Sequence, residues 1–327
     1  MPYNSFISRD NASALIPQET AQEVVTATAQ QSAALTLCRR FSMATGQQRV
    51  PVLSTLPAAY WVEGDTGLKQ TTAAAWSGVF LNAEEIACIV PIPEAVLSDA
   101  TFDVWAELQE PIAQAFAQKI DAAVFSGIEA PSTWPSAIIP AAVAAGNTVV
   151  ADSTVEQGGI IGDLGNALAT VENEGYEPSG YAASRALRPL LRGARSTTGE
   201  PLAAAGDSFS LDAVWSLPVA YAVSGTVPLP TLAVTGDFAN CAILGVRQDI
   251  TFKLLDQATF VDDTGKVTLS LAQQDSVAMR VVMRLALAIA VPAALTTATT
   301  PYPFAVVEAP GGVGTTRSTS KSSKSSS

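Results

Sequence analysis

Six apolar residues, Val104, Leu108, Ile112, Phe116, Ile120 and Val124, recur at every fourth position. This spacing lays one apolar stripe along a helix and winds it slowly around the axis. Ser98-Asp99 or Thr101 can cap its start, and Ser126-Gly127 can end it. Such a helix of about 25 residues spans roughly 37 Å, long for a chain of 327 residues, and reads as a structural spine. Pro111 lies inside it and is expected to kink or divide it.

Before the spine the pattern changes. Ile16 to Leu37 carries a weak helical face through Ala21, Val25, Ala29, Ala33 and Leu37, followed by Arg39-Arg40, a pair suited to a helix C-terminus. From Val50 the period drops to two. Val50, Val52 and Leu53 make a short extended piece broken by Pro51, and Ala73 to Val90 supplies Trp76, Val79, Leu81, Ile86, Cys88 and Val90. Between them lies the polar stretch Trp61-Val-Glu-Gly-Asp-Thr-Gly-Leu-Lys-Gln70. The spacing predicts a long two-stranded hairpin with too little apolar surface to bury itself, which must lie on a neighbour.

After the spine, Pro131 to Val150 reads as a connector. A second block follows: a helix over Ile160 to Glu174 closed by Gly175, a short strand at Tyr181-Ala-Ala183, and a short helix from Ser184 to Arg192. Strands are expected at 218–223, 231–235, 242–246, 250–255, 260–261 and 267–271, with a turn at Asp262-Asp-Thr-Gly265. Val277 to Val291 is an apolar run carrying Arg280 and Arg284, best read as a long strand. Residues 311–327 are Gly/Ser/Thr-rich with only cationic charges, Arg317, Lys321 and Lys324, and read as a disordered tail.

Composition removes whole classes of chemistry. The chain has no histidine, so Ser-His-Asp and Cys-His catalysis, His-ligated zinc and haem, and imidazole pH sensing are excluded within it. Cys38, Cys88 and Cys241 are far apart, form no CxxC, and read as small buried apolar residues. The net charge of −12 opposes a protein that lives by gripping phosphate backbones. Charged residues are only 15% of the chain, so much of its surface is expected to be neutral or covered. The N-terminus lacks the basic and apolar regions of a secretory signal. The best membrane candidate, Val281 to Ala294, is too short and contains Arg284 and Pro292.

The remaining motifs are weak. Gly64-Asp-Thr-Gly-Leu-Lys-Gln-Thr71 has the wrong spacing for a phosphate loop and is a hairpin tip. Gly311-Gly-Val-Gly314 is a linker. Glu84-Glu85 and Asp262-Asp263 have no partner base and read as surface carboxylates. Arg185, Arg188, Arg192 and Arg195 cluster at one short helix, as a solvated basic face, as partners for an acidic face of another copy or, against the net charge, as a phosphate site. No catalytic, cofactor-binding or metal-ligating constellation is read from the residues. The bottom-up reading is a chemically silent α+β chain with a projecting arm, a projecting hairpin and a long spine.

The order of these features resembles the major capsid proteins of tailed bacteriophages, with the Hong Kong 97-type capsid fold, over roughly residues 15–309. The segments that carry it are Leu15-Ile-Pro-Gln18, Trp61-Val-Glu-Gly64, Val96-Leu-Ser-Asp99, Ile120-Asp-Ala-Ala-Val-Phe-Ser-Gly127, Asn173-Glu-Gly-Tyr-Glu-Pro-Ser-Gly180, Leu217-Pro-Val219, Gly236-Asp-Phe238 and Val277 to Pro292. The resemblance implies an N-terminal arm at 1–45, an E-loop at 46–85, a P-domain with the spine helix at 86–150, an A-domain at 151–267, P-domain return strands at 268–310 and a flexible tail at 311–327.

It further implies no enzymatic activity and no cofactor. It implies self-assembly into hexamers and pentamers of an icosahedral shell around phage double-stranded DNA, touched non-specifically. Inter-subunit contacts are then expected at Trp61, Glu63, Asp65 and Lys69 of the E-loop and at Arg185, Arg188, Arg192 and Arg195 of the A-domain. Leu108, Pro111, Ile112, Phe116 and Ile120 form the spine. A separate scaffolding protein, a portal at one vertex and a decoration protein are the implied partners, with no membrane. The expected place is the virion, assembled in the host bacterial cytoplasm. Two departures stand out. The recognisable arm begins near residue 15, so no long N-terminal scaffolding domain is expected and either a separate scaffolding protein or an already trimmed chain is implied; and no Asn follows Cys241 to crosslink with Lys69, the one E-loop lysine. The other readings are a cellular nanocompartment (encapsulin-like) shell of the same fold and a cofactor-binding α/β enzyme.

Overall fold

The computed structural model describes residues 32–55, 75–95, 104–201, 210–261, 265–292 and 301–310. Two sheets organise it. The first has the order β1-β10-β13-β4, from Arg39–Ser42, Ala242–Leu255, Ser276–Ile289 and Glu84–Pro93. The second has the order β5-β14-β9-β6-β8-β7, from Thr148–Val150, Phe304–Glu308, Thr231–Gly236, Gly180–Ala183, Leu217–Tyr221 and Ala213–Val214. Two hairpins stand apart: β2 (Gln47–Thr55) with β3 (Ala75–Asn82), and β11 (Thr259–Val261) with β12 (Val267–Ser270).

Five α-helices complete the described residues: α1 (Ala33–Leu37), the spine α2 (Val104–Asp121), α3 (Ile138–Ala145), α4 (Gly159–Asn173) and α5 (Leu187–Gly193). The spine buries Ile112, Phe116 and Ile120, with Leu108 partly buried. They share one apolar cluster with Leu244, Met279, Val281, Met283 and Leu285 of the first sheet. Pro111 is exposed, and the helix runs through it without dividing. One face is held by packing, so a missing N–H on the solvent side is tolerated. The irregularity comes later, where residues Ala122–Ser126 widen into a π-helical turn ended by Gly127 at φ 72°. There Phe125 meets Phe238 edge-on at 6.4 Å, and Phe238 meets Phe304 at 5.0 Å, joining the spine to the second sheet.

Several boundaries differ from expectation. The helical stretch expected within 16–37 is described only as α1, capped by the extended backbone of Ser32; residues before it lie outside the described ones. Arg39 and Arg40 open strand β1, alongside Ile243 and Leu244. The connector over 131–150 contains α3 and β5. Pro140 is the third residue of α3, a first-turn position where no intrahelical N–H is needed. The short second-block helix starts at Leu187 rather than beside Ser184, and Pro189 again sits in its first turn. The strands expected at 242–246 and 250–255 are one strand with irregular register near Gln248.

Strand pairing also runs across the expected boundary at 267/268. Strand β10 pairs with β13, and β14 lies in the second sheet between β5 and β9.

Candidate functional site

Since the described residues hold no group of three or more metal-capable side chains, attention falls on surfaces. The hairpin β2/β3 has two unlike faces. Its inner face sets Val52 and Leu81 against Met43, Ile243, Ala286 and Ala288 of the body. Its outer face carries Trp76 at 68% exposure and Phe80 at 53%. Arg49 lies opposite Phe80 in the register, with its guanidinium 5.8 Å from the ring centre. It also crosses Gly78 so closely that a Cβ there would collide with it. The expectation that this hairpin must lie on a neighbour is therefore corrected for one face: its base already rests on its own chain.

A latch fixes the base. Trp134 Nε1 donates to the Asn82 carbonyl at 3.1 Å, Asn82 Nδ2 donates to the Thr133 carbonyl at 3.2 Å, and Thr133 Oγ1 donates to Glu84 at 2.7 Å. The loop that leaves the spine thus grips the one-residue step, Ala83, between β3 and β4. Glu84 has a role here that its reading as a bare surface carboxylate missed. The tip residues Trp61, Glu63, Asp65 and Lys69 lie outside the described residues.

A second anchor joins the arm to the spine. Asp121 is fully buried and accepts from Ser32 Oγ at 2.7 Å, Ala34 N at 3.0 Å, Ala33 N at 3.2 Å and Val223 N at 3.4 Å. Burial pushes its carboxyl above the ordinary value, and the four donors pull it back without cancelling the effect. Nothing in the local pattern singled out Asp121; only its place on the buried side of the helix, one residue after Ile120, could have.

The arginines of the second block divide. All four are exposed. Arg188 is occupied within the chain, pairing with Asp212 at 3.1 Å and stacking 4.5 Å from the Tyr221 ring centre. Its hydrogen bond to Asp212 raises its pKa further. Arg195 reaches the carbonyls of Arg192 and Ala194. Among the described residues, Arg185 and Arg192 make no ion pair. The cysteines fit their expected part: Cys38 and Cys241 are buried and Cys88 is half-buried in the core, all with thiol pKa values raised by burial. No described helix is long and apolar enough to cross a membrane.

An acid-anchored arm, a latched hairpin with a bare aromatic face and a spine sharing one core with both sheets present surfaces for contact. The sequence profile of the phage capsid family matches residues 12–299. The chain belongs to the phage capsid family. It is 28% identical over 236 residues to the major capsid protein of Staphylococcus phage 80alpha, covering 72% of this chain and 69% of that one.

Solved structures agree. One from Mycobacterium phage Adephagia superposes with a TM-score of 0.75 at 32% identity, covering 93% of this chain and 98% of that chain. One from Microbacterium phage Oxtober96 gives 0.74 at 33% identity, covering 85% and 91%. The capsid of a native GTA particle shares the fold at 15% identity, with a TM-score of 0.56. This phage capsid protein thus has the α+β, Hong Kong 97-type architecture that its order of features resembled, and it is a major capsid protein rather than an enzyme or a nanocompartment shell. Its role is structural, its kind self-assembles into shells, and its place is the virion.

Proposed function

We propose that this capsid protein closes an icosahedral shell of hexamers and pentamers around double-stranded DNA, with the hairpin as its main strap to a neighbouring subunit. The observation that carries this reading is the outer face of β2/β3, where Trp76 and Phe80 stand exposed on a hairpin whose inner face is already covered. Residues 46–85 act as the E-loop and 1–45 as the arm. The spine belongs to the P-domain and the second sheet to the A-domain. Trp61, Glu63, Asp65 and Lys69 touch one neighbour, and Arg185, Arg192 and Arg195 touch another around the capsomer axis.

Distributed contact is the physical mechanism. Each strap is weak alone, but once one contact forms the next becomes effectively intramolecular. Heterologous contacts close into rings, and bending at the hairpin base adapts six-fold to five-fold rings. The net charge of −12 keeps the packaged duplex from sticking to the body. A separate scaffolding protein, a portal and a decoration protein complete the particle, which assembles in the host bacterial cytoplasm.

Deleting residues 58–72 tests this reading. The shortened subunit is expected to fold, by circular dichroism, and to form no stable shells by negative-stain microscopy. Normal shells from that variant would overturn it.

A further inference from the structure

The first sheet has one face in the main core. Among the described residues, its other face is packed at its two ends. At one end the hairpin β2/β3 lies on Ala286 and Ala288; at the other, β11/β12 brings Leu269 against Ala278 and Ile92. Between them a strip carries cations on either side of Val282, itself only 5% exposed.

Lys253 and Arg280 are both exposed and sit directly opposite one another in the β10/β13 register. Ile89, 42% exposed, is the next residue across in β4. Four residues along the strand, past the buried Val282, Arg284 stands between Gln248 and Glu85. The Arg284 Nε is buried without a hydrogen-bond partner, and no ion pair joins Arg284 to Glu85. Like charges directly across a sheet are destabilising, and a buried unsatisfied guanidinium nitrogen costs more. Both costs persist in a chain whose net charge is −12. An arrangement unfavourable in the lone subunit becomes favourable when carboxylates arrive.

We propose that this strip is a docking surface for an acidic face of a second copy of this chain. The inference rests on the shell-forming reading above. Two observations select the occupant. The excess of carboxylates elsewhere in the chain supplies the complementary charge, whereas a duplex backbone would meet that same acidic body around a small cationic island. Ile89 adds apolar surface beside the cations, which suits a protein partner.

The test is Lys253→Glu in the full-length chain. This change turns a like-charge cross-strand pair into an opposite-charge pair, so the unassembled subunit should melt at the same temperature or higher. Shell yield at physiological ionic strength should nevertheless fall about tenfold, because a carboxylate now faces the incoming carboxylates. A charge-preserving Lys253→Arg should assemble normally. Wild-type shells serve as the control: if the wild type forms none, the shell-forming reading itself fails. If the wild type assembles and Lys253→Glu assembles equally well, the docking surface is overturned. It is also overturned if the melting temperature and the shell yield fall together, which would make the lysine structural. Normal shells that retain less DNA would overturn it in favour of nucleic acid.

Discussion

Asp121, near the end of the spine helix, accepts the hydroxyl proton of Ser32 at 2.7 Å across 89 residues of sequence. The same serine caps the arm helix by accepting from Leu35 N at 3.1 Å. The arm is thereby tied to the spine through a carboxylate that also receives the backbone N–H groups of Ala33, Ala34 and Val223.

Asp121→Asn should destabilise the unassembled subunit by about 1–3 kcal/mol, because one carboxylate oxygen receiving two N–H donors becomes an NH2 facing them. Ser32→Ala should cost about 0.5–2 kcal/mol through the lost cap. The double variant should cost less than the two together, since both act on one network. Denaturant titrations of the three variants check this.

Tyr176 donates its hydroxyl to the Pro292 carbonyl at 3.0 Å, and burial pushes its phenol from 10.0 up to about 12. A folded pKa above the unfolded one means that this group's contribution is fully present below pH 10 and is lost as the pH rises through 12. Tyr176→Phe should lower stability at neutral pH by about 0.5–1.5 kcal/mol and should flatten the fall at alkaline pH. Denaturation midpoints measured across that window read both effects.

Pro111 sits on the solvent side of an unbroken helix. Pro111→Ala restores a missing helix hydrogen bond and removes a ring clash, so the unassembled subunit should melt higher. The spine's curvature changes with it, and particle diameter by electron microscopy should shift. An unchanged diameter with raised stability would show that the proline does not set shell curvature.

Trp76 is 68% exposed, so Trp76→Ser should change subunit stability by no more than about 0.5 kcal/mol. Shell yield, by sedimentation, should fall sharply. A loss of stability equal to the loss of assembly would place Trp76 in the subunit's own core instead.

Legibility from sequence followed locality. The four-residue recurrence through Ile112, Phe116 and Ile120 placed the spine because helix periodicity is written in neighbouring residues. The hairpin at Gln47–Asn82 was visible for the same reason, through its period of two, but Ile86, Cys88 and Val90, read as part of it, belong to β4 and pair with β13. Non-local pairings were not visible. Nothing near Arg39 announces a parallel partner at Ile243, and nothing near Phe304 announces Gly236. The Asp121 anchor and the Trp134 latch are likewise contacts between distant segments, each built from residues that are ordinary in their own windows. Helix α3 was hidden by Pro140, which reads as a breaker until its first-turn position is known.

Strand β14, residues 304–308, is threaded into the interior of its sheet, between β5 and β9. While a ribosome is still making the protein, those two strands have nothing to bridge them until almost the last described residue has emerged. Subunit completion thus waits until residues 304–308 have emerged, and nascent chains shorter than that lack the finished layer that a growing particle would recruit.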